Sequence, residues 1–434
     1  MNQKRIGFIS FRFAGTDGVS LETSKWAELF ELNGHSTFYL AGELETPPER
    51  SMLVERAHYK HPEIRELTDL AFGATRRSAK LSEAIHGLRH YFKRQIYDFI
   101  ERFELDLLIP ENILAIPLNI PLADALNEVM AETGIAAIAH HHDLYWERKR
   151  FLTNCVWDYL NSIYPPSFPS IHHVVINSSA RNQLALRRGL GSILVPNVMK
   201  FESPPQPPDE YASDVRRALG IADDEYLLLQ PTRVIQRKGI EHSIELAARL
   251  SRMGLKAVLV ISHASGDEGD EYERRVREYA ELLGTRALFV SDVIGTRRGR
   301  TSDGRKIYAL EDIYPHADLV TYPSLFEGFG NAFLEAIYYR RPLLVNNYSI
   351  YSYDIRPLGF DVIEMDEFLS ERTIMAAADV LKDKSRAQAM AEKNYELALR
   401  YYSFGMLATK LSNLFANIWG TDGAFSLTKA GDLH

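Results

Sequence analysis

Short aliphatic or β-branched runs alternate with longer amphipathic stretches along almost the whole chain, and this alternation limits the possible fold more than any other feature. Such runs, separated by helical periodicity, mark parallel strands joined by crossover helices. Six strand candidates fall in the first half, at 5–10, 36–40, 105–109, 136–140, 173–177 and 193–196. Six more follow in the second, at 226–230, 256–262, 287–290, 318–322, 342–346 and 361–364. Between the two sets, 202–210 reads ESPPQPPDE, whose four prolines can continue neither a helix nor a central strand and suit a stiff exposed connector. The expectation is an α/β chain of two doubly wound domains, with 434 residues supplying enough apolar material for two cores. Ligands of such sheets bind at the carboxyl ends of the strands, so the loops of both halves are expected to face a central cleft.

Composition narrows the function. A hydrophobic content of 46% with 25% charged residues is that of a globular protein, and a net charge of -8 gives no reason to expect nucleic-acid binding. No apolar run approaches the roughly 20 residues that span a bilayer. The opening MNQKRIGFISFRFAG has its apolar stretch cut short by Arg12 and reads as a first strand rather than a signal peptide, which makes a cytoplasmic location the expectation. Cys155 is the single cysteine, so neither an intrachain disulfide nor a cysteine-based metal site can form. Across 76–103 the apolar residues Leu81, Ile85, Leu88, Phe92, Ile96, Phe99 and Phe103 form a helical stripe flanked by Arg76, Arg77, Lys80, Arg89, Lys93 and Arg94. A core-facing helix with a basic solvent face is favoured over one that docks on a membrane surface.

Two segments of the second half point to a phosphorylated ligand. In YLLLQPTRVIQRKGIEHSIELAARL a strand runs into a loop carrying Arg233 and Lys238, and Gly239 stands before a helix. Cations and backbone amides at the carboxyl end of a strand suit a diphosphate. In DLVTYPSLFEGFGNAFLEAIYYRRPLLV a strand ends near Tyr322, a Gly-rich loop follows, and Asn331 is expected to cap a helix reaching about Arg340. Gly328 and Gly330 would let the backbone approach an anion at the amides of Gly330, Asn331 and Ala332. Glu327 and Glu335 accept hydrogen bonds but cannot bind phosphate, so each is expected to grip hydroxyls on either side of the anion, sugar on one side and ribose on the other.

The run Glu327-Gly328-Phe329-Gly330, with Glu335 after seven intervening residues, resembles the EX7E motif of the retaining glycosyltransferases of family 4 (glycosyltransferase group 1), which have the GT-B fold of two Rossmann-like domains. Arg233 and Lys238-Gly239 resemble that family's GRxxxxKG loop, with Pro231-Thr232 where the family usually has Gly before the Arg. ILVPNVMKF resembles its VIPNGVD, with Val198 for Gly, and DIYPHADLVTYPSLFEGFG resembles YAAADVFVLPSLYEGFG. The resemblance implies that Arg233 and Lys238 bind the diphosphate of a nucleotide sugar, Glu335 its ribose, and Glu327 the transferred sugar, with the loop from Gly328 through Phe329 to Ala332 around them. It places the base near Ser291, Asp292 and Val293. The basic stretch GTRRGRTSDGRK that follows is read as a solvated loop.

On the acceptor side, GFISFRFAGTDGVSLETSKWAELFELNGH is strand, loop and helix, with Gly15 and Gly18 in the loop and Gly34 as a helix stop. It lacks the dinucleotide-binding glycine fingerprint. The resemblance implies that Gly15 and Gly18 lie beneath the donor diphosphate. A strand ends in His140, His141, His142 and Asp143; neighbouring strand residues point to opposite faces, so the three histidines cannot all converge on one ion, and no metal site is expected. The His142-Asp143 pair resembles the family position where the His reaches the transferred sugar, with His141 as the alternative. Tyr145, Trp146, Glu147, Arg148 and Arg150 would edge the acceptor pocket.

The expected domains are 1–203 for the acceptor, 204–395 for the nucleotide sugar, and a helical segment 396–434 packing back on the first domain and ending in a flexible tail. The implied activity is a metal-independent, cofactor-free hexosyltransferase that moves a glucose- or mannose-class sugar from a UDP- or GDP-linked donor to a hydroxyl acceptor with retention, by a front-face mechanism. The acceptor is a small molecule, a glycan or a lipid-linked sugar. Another GT-B enzyme, such as a nucleotide-sugar epimerase or hydrolase, and a non-catalytic nucleotide-sugar-binding protein are the alternatives.

Overall fold

Strands form where the aliphatic runs lie. The computed structural model describes residues 3–15, 17–265, 271–420 and 425, and the chain divides into two units, Met1–Val198 with Phe404–His434, and Met199–Ser403.

The first unit is built on a seven-stranded sheet of β1 (Arg5–Ile9), β2 (Ser36–Ala41), β3 (Ser51–Leu53), β4 (Leu107–Pro110), β5 (Ala136–His141), β6 (Ile171–Val175) and β7 (Ile193–Leu194), ordered β3-β2-β1-β4-β5-β6-β7. All its pairings are parallel. Both faces are covered, as parallel sheets require, and successive residues of β4 serve opposite sides. Leu108 packs with Phe92, Phe99 and Leu126, whereas Leu107 and Ile109 pack with Trp26, Phe30 and Leu411. β3 was not expected; three residues at the sheet edge, none fully buried, are too short for period-two alternation to register.

The boundaries also differ from those read in the sequence. The first unit ends at Val198 rather than 203, because the segment ahead of the prolines is held by the second unit: Met199 N donates to Tyr402 O at 2.8 Å and the Tyr395 hydroxyl to Phe201 O at 2.7 Å. The return to the first unit starts at Phe404 rather than 396, since the helix Lys384–Tyr401 stays with the second unit. The helix Phe404–Trp419 then buries Phe404, Leu407, Leu411, Leu414 and Phe415 in the cluster around Trp26 and Phe30.

The amphipathic stripe lies on the helix Ala79–Phe103, with Leu81, Ile85, Phe92, Ile96, Phe99 and Phe103 in the core. Four of the flanking cations pair with acids: Arg77 with Asp158, Arg89 and Lys93 with Glu128, and Lys80 with Glu66. Among the described residues no helix is long and apolar enough to cross a membrane.

The second unit has a six-stranded parallel sheet of β8 (Tyr226–Gln230), β9 (Ala257–Ile261), β10 (Ala287–Phe289), β14 (Leu319–Tyr322), β15 (Leu343–Asn346) and β16 (Ile363–Met365), ordered β10-β9-β8-β14-β15-β16. Where a basic loop was expected, β11 (Ile294–Gly295), β12 (Gly299–Arg300) and β13 (Lys306–Ala309) form a small separate sheet. Arg298 fastens it, bonding Asp312 and Asp209. In both large sheets the strand order reverses at one point, between β1 and β4 and between β8 and β14, and crevices at such points are where doubly wound sheets bind ligands.

Candidate active site

In the second unit the loops after β8 and β14 meet at that reversal. Leu325 N donates to Arg237 O at 2.8 Å, and Arg237 Nη1 donates to Phe326 O at 3.2 Å. Gly239 makes the approach possible: its φ is +61°, and a Cβ there would lie 2.6 Å from Pro323 O. Across the junction Glu327 receives both Lys238 Nζ and Arg237 Nη1, the latter at 2.8 Å. Side-chain exposure is 11% for Lys238 and 9% for Glu327. Burial pushes the Lys238 ammonium pKa down, an effect that Glu327 counters and Arg237 adds to. Burial would raise the Glu327 pKa, but the charges of Lys238 and Arg237 outweigh it and hold it below the usual carboxylate range. The outcome is a buried, ionised pair at the sheet's carboxyl edge.

Arg233 is exposed, and among the described residues its guanidinium forms no hydrogen bond or ion pair, so an anion would meet it without displacing a protein partner. His263, which sequence reasoning passed over, follows β9 with Nδ1 2.7 Å from Ser262 Oγ; burial and the charges of Arg233 and Lys238 push its pKa down. Its signal was only its position, two residues beyond a buried strand on the same sheet edge.

The Gly-rich loop is shaped by its own tyrosines. Gly330 has φ +116°, and a Cβ there would come within 2.7 Å of the Tyr348 hydroxyl and 2.9 Å of the Tyr322 hydroxyl. Gly330, not Asn331, is the N-cap residue of the helix Asn331–Tyr338, because the left-handed turn falls one residue earlier than the expected Asn cap. Phe329 is buried and turns its ring inward against Tyr402, at a centroid distance of 5.3 Å. Gly328 is half-buried and Ala332 is buried in the first helical turn. Glu335, one helical turn beyond the cap, accepts a hydrogen bond of 2.7 Å from the Tyr314 hydroxyl, whose ring stacks on Tyr339. Ser291 and Asp292 are exposed and Val293 is half-buried in the turn after β10; Asp292 is engaged by Arg305 at 2.8 Å.

In the first unit, the loops after β1, β4 and β5 converge. Period-two alternation sends His140 and His142 to one side and His141 to the other, where His141 Nε2 lies 3.0 Å from His173 Nδ1. On the first side stands Glu111, a fully buried carboxylate that sequence reasoning missed. His140 Nδ1 lies 3.2 Å from its Oε1, and His142 Nε2 lies 2.9 Å from its Oε2. Burial works against ionising all three, yet the two imidazoles hold the Glu111 pKa well below the carboxylate range. For His142 the bond and charge of Glu111 overcome burial and raise its pKa; for His140 burial prevails and lowers it. Asn112, at φ +62°, turns the chain so that its Oδ1 accepts from His142 N at 3.0 Å and Asp143 N at 3.2 Å.

Glu111, His140 and His142 bring three ligand atoms within 4.8 Å of one another, a spacing that hydrogen bonding and metal ligation share. A metal-bound imidazole ordinarily donates its second nitrogen to a partner, whereas His140 Nε2 has none among the described residues and its ring stacks on Trp26 at 4.4 Å. The cluster is therefore read as a hydrogen-bonded one. Asp143 pairs with Arg148 at 2.6 Å, and Glu147 closes the turn by accepting from Leu144 N at 2.8 Å. Tyr145, expected to edge a pocket, is buried in the core instead. Gly15, at φ +69°, donates to Glu45 at 3.1 Å, and Gly18 opens the helix Gly18–Leu32, which Asp17 caps.

Comparisons with known proteins agree with this architecture. The family described as glycosyl transferases group 1 matches residues 212–397. The mannosylglucosylglycerate synthase of Petrotoga mobilis is 33% identical over 393 residues, covering 83% of this chain and 86% of that protein. The protein of the same name from Thermotoga maritima is 29% identical over 439 residues, covering 94% and 99%. Among solved structures, a glycosyltransferase from Rickettsia africae superposes with a TM-score of 0.68 at 12% identity, covering 96% of this chain and 99% of that one. Anabaena HepE in complex with UDP-glucose gives 0.65 at 12% identity, covering 95% and 100%; at these identities the likeness speaks for the fold. The chain belongs to the group 1 glycosyltransferases of the GT-B fold. It is a hexosyltransferase.

Proposed function

We propose that this enzyme transfers a hexose from a nucleotide diphosphate sugar to a hydroxyl acceptor with retention at the anomeric carbon and without a metal ion, the hexose being mannose and the acceptor glucosylglycerate. The donor chemistry rests on one observation above all: a buried lysine–glutamate pair, with Arg237 beside it and exposed Arg233 in the same loop, stands where the second sheet reverses its order. The sugar and acceptor rest on the name shared by the two long-matching relatives. In this reading Arg233, Lys238 and the amides of Gly330, Asn331 and Ala332 neutralise the diphosphate, Glu327 binds the sugar, Glu335 binds the ribose, and His142 serves the sugar and acceptor. The bond from the anomeric carbon to the phosphate oxygen breaks, the acceptor oxygen bonds to the same face, and its proton passes to the departing phosphate oxygen. The test is to offer GDP-mannose, UDP-glucose and other nucleotide sugars with glucosylglycerate, then to read product mass and anomeric configuration by NMR. An inverted product rejects retention, and failure of glucosylglycerate alongside turnover of another acceptor rejects the acceptor.

Two expected results follow from the same reading. Transfer should proceed unchanged in excess EDTA, because side-chain cations and helix amides supply the positive charge; loss of activity with EDTA that Mg²⁺ or Mn²⁺ restores would reject metal independence. Glu335→Ala should weaken affinity for the free nucleoside diphosphate by roughly tenfold. A lost hydrogen bond to a neutral hydroxyl costs about 0.5 to 1.5 kcal/mol, and here the Tyr314 hydroxyl also loses its acceptor. Titration calorimetry measures it, and unchanged affinity would remove Glu335 from the ribose.

A further inference from the structure

We propose that Glu111 is a positioning residue for transfer: it fixes the ring of His142 by engaging Nε2, leaving Nδ1 as the nitrogen that meets the ligand. The inference rests on the role proposed above for His142. Glu111 sits at the β1/β4 reversal of the first sheet, where its N donates to Ile9 O at 2.8 Å and its carbonyl accepts from Ser10 Oγ at 3.4 Å. Its carboxylate has no exposed surface and is spent wholly on two imidazoles, Oε2 lying 3.1 Å from His140 Nδ1 and 2.9 Å from His142 Nε2. His140 is in turn pressed against Trp26, and Asn112 fixes the His142 backbone. The ring of His142 is thus set at its backbone, through its neighbour and at Nε2. Among the described residues nothing bonds Nδ1, and 7% of the side chain remains accessible.

Stability alone does not account for this arrangement. Ionised groups with no access to water carry a desolvation cost that their mutual attraction often fails to recover, and packed hydrophobic residues of the same volume do as well or better. A second buried acid, Glu22, faces the cluster from the helix Gly18–Leu32, but it is engaged by Lys25 and by Val198 N at 3.3 Å. Asp143 is engaged by Arg148. Glu111 is the carboxylate that bonds His142 directly, and it does so on the sheet edge where ligands bind.

The test is a double-mutant cycle with Glu111→Gln, which keeps the shape and an acceptor oxygen but not the charge, and His142→Ala. Glu111→Gln should lower kcat at least tenfold while leaving nucleoside diphosphate affinity within about threefold, and it should cost nothing further in the His142→Ala background. If the two losses multiply instead, Glu111 acts elsewhere and the inference falls. If His142→Ala is fully active, the role of His142 is wrong and the inference falls with it. A measurement on the unaltered protein does not depend on how well the variants fold: long-range ¹H–¹⁵N spectra should show His142 carrying a proton on Nε2. A bare Nε2, or one equivalent of tightly bound zinc in the purified protein, overturns it.

Discussion

Lys238→Ala is expected to lower kcat by about 10² to 10³ while changing the affinity for free nucleoside diphosphate far less, which is the scale for removing one preorganised stabiliser of developing charge. Negative charge on the leaving phosphate grows as the glycosidic bond breaks, so a cation aimed there acts more on the transition state than on the bound donor. Lys238 has the properties this requires. It is buried, fixed by Glu327, and placed at the end of the loop after β8, so it need not reorganise during the reaction. The variant should also fold, because Arg237 still accompanies the Glu327 carboxylate at 2.8 Å. Steady-state kinetics and calorimetry on one preparation decide the matter. A raised KM for the donor with kcat intact would make Lys238 a docking group.

Glu327→Ala should be the more damaging change to the fold. It leaves the Lys238 ammonium buried beside the cations Arg237 and Arg233 without its carboxylate partner, and removing one partner of a buried ion pair costs about 3 to 5 kcal/mol. For a unit of this size even the lower figure corresponds to a fall in Tm of roughly 6 °C or more. The deficit should depend on pH with a definite sign. Burial and Arg237 already lower the Lys238 pKa, and without Glu327 it drops further below the value of about 10.4 in the unfolded chain. The folded state then binds fewer protons than the unfolded state between those two values, so stability rises with pH across that window. The loss should be full below the depressed folded-state pKa and narrow as the pH rises toward about 10. An unchanged Tm at pH 7 would show that Lys238 finds water once Glu327 is gone.

How far the sequence discloses this molecule depends on the length of the signal. β9 is aliphatic throughout and β8 and β15 each carry three aliphatic residues in a row, so they stand out, as does the helix Ala79–Phe103 with its long apolar stripe. β3 and the sheet of β11, β12 and β13 span two to four residues each, and their pairing depends on partners the local sequence does not reveal. At the site, the loop after β14 was legible because its carboxylates and glycines keep a fixed spacing, and period two sufficed to separate His141 from His140 and His142. Arg237 was passed over beside two more conspicuous cations, although it shares Glu327 with Lys238. Glu111 lies 29 residues from His140 in the chain, and only the neighbouring placement of β4 and β5 brings them together. A carboxylate immediately after four fully buried strand residues was the one local sign available.

The return of the chain at Phe404 sets an order for biosynthesis. The second unit has all of its residues once Ser403 leaves the ribosome, yet the first unit, whose strands are made earliest, still lacks the helix that covers Trp26 and Phe30. A nascent chain therefore carries an open aromatic face through the whole synthesis of the later unit, and unpaired apolar surface of that kind is what chaperones bind and what aggregates. The domain begun first is the one finished last.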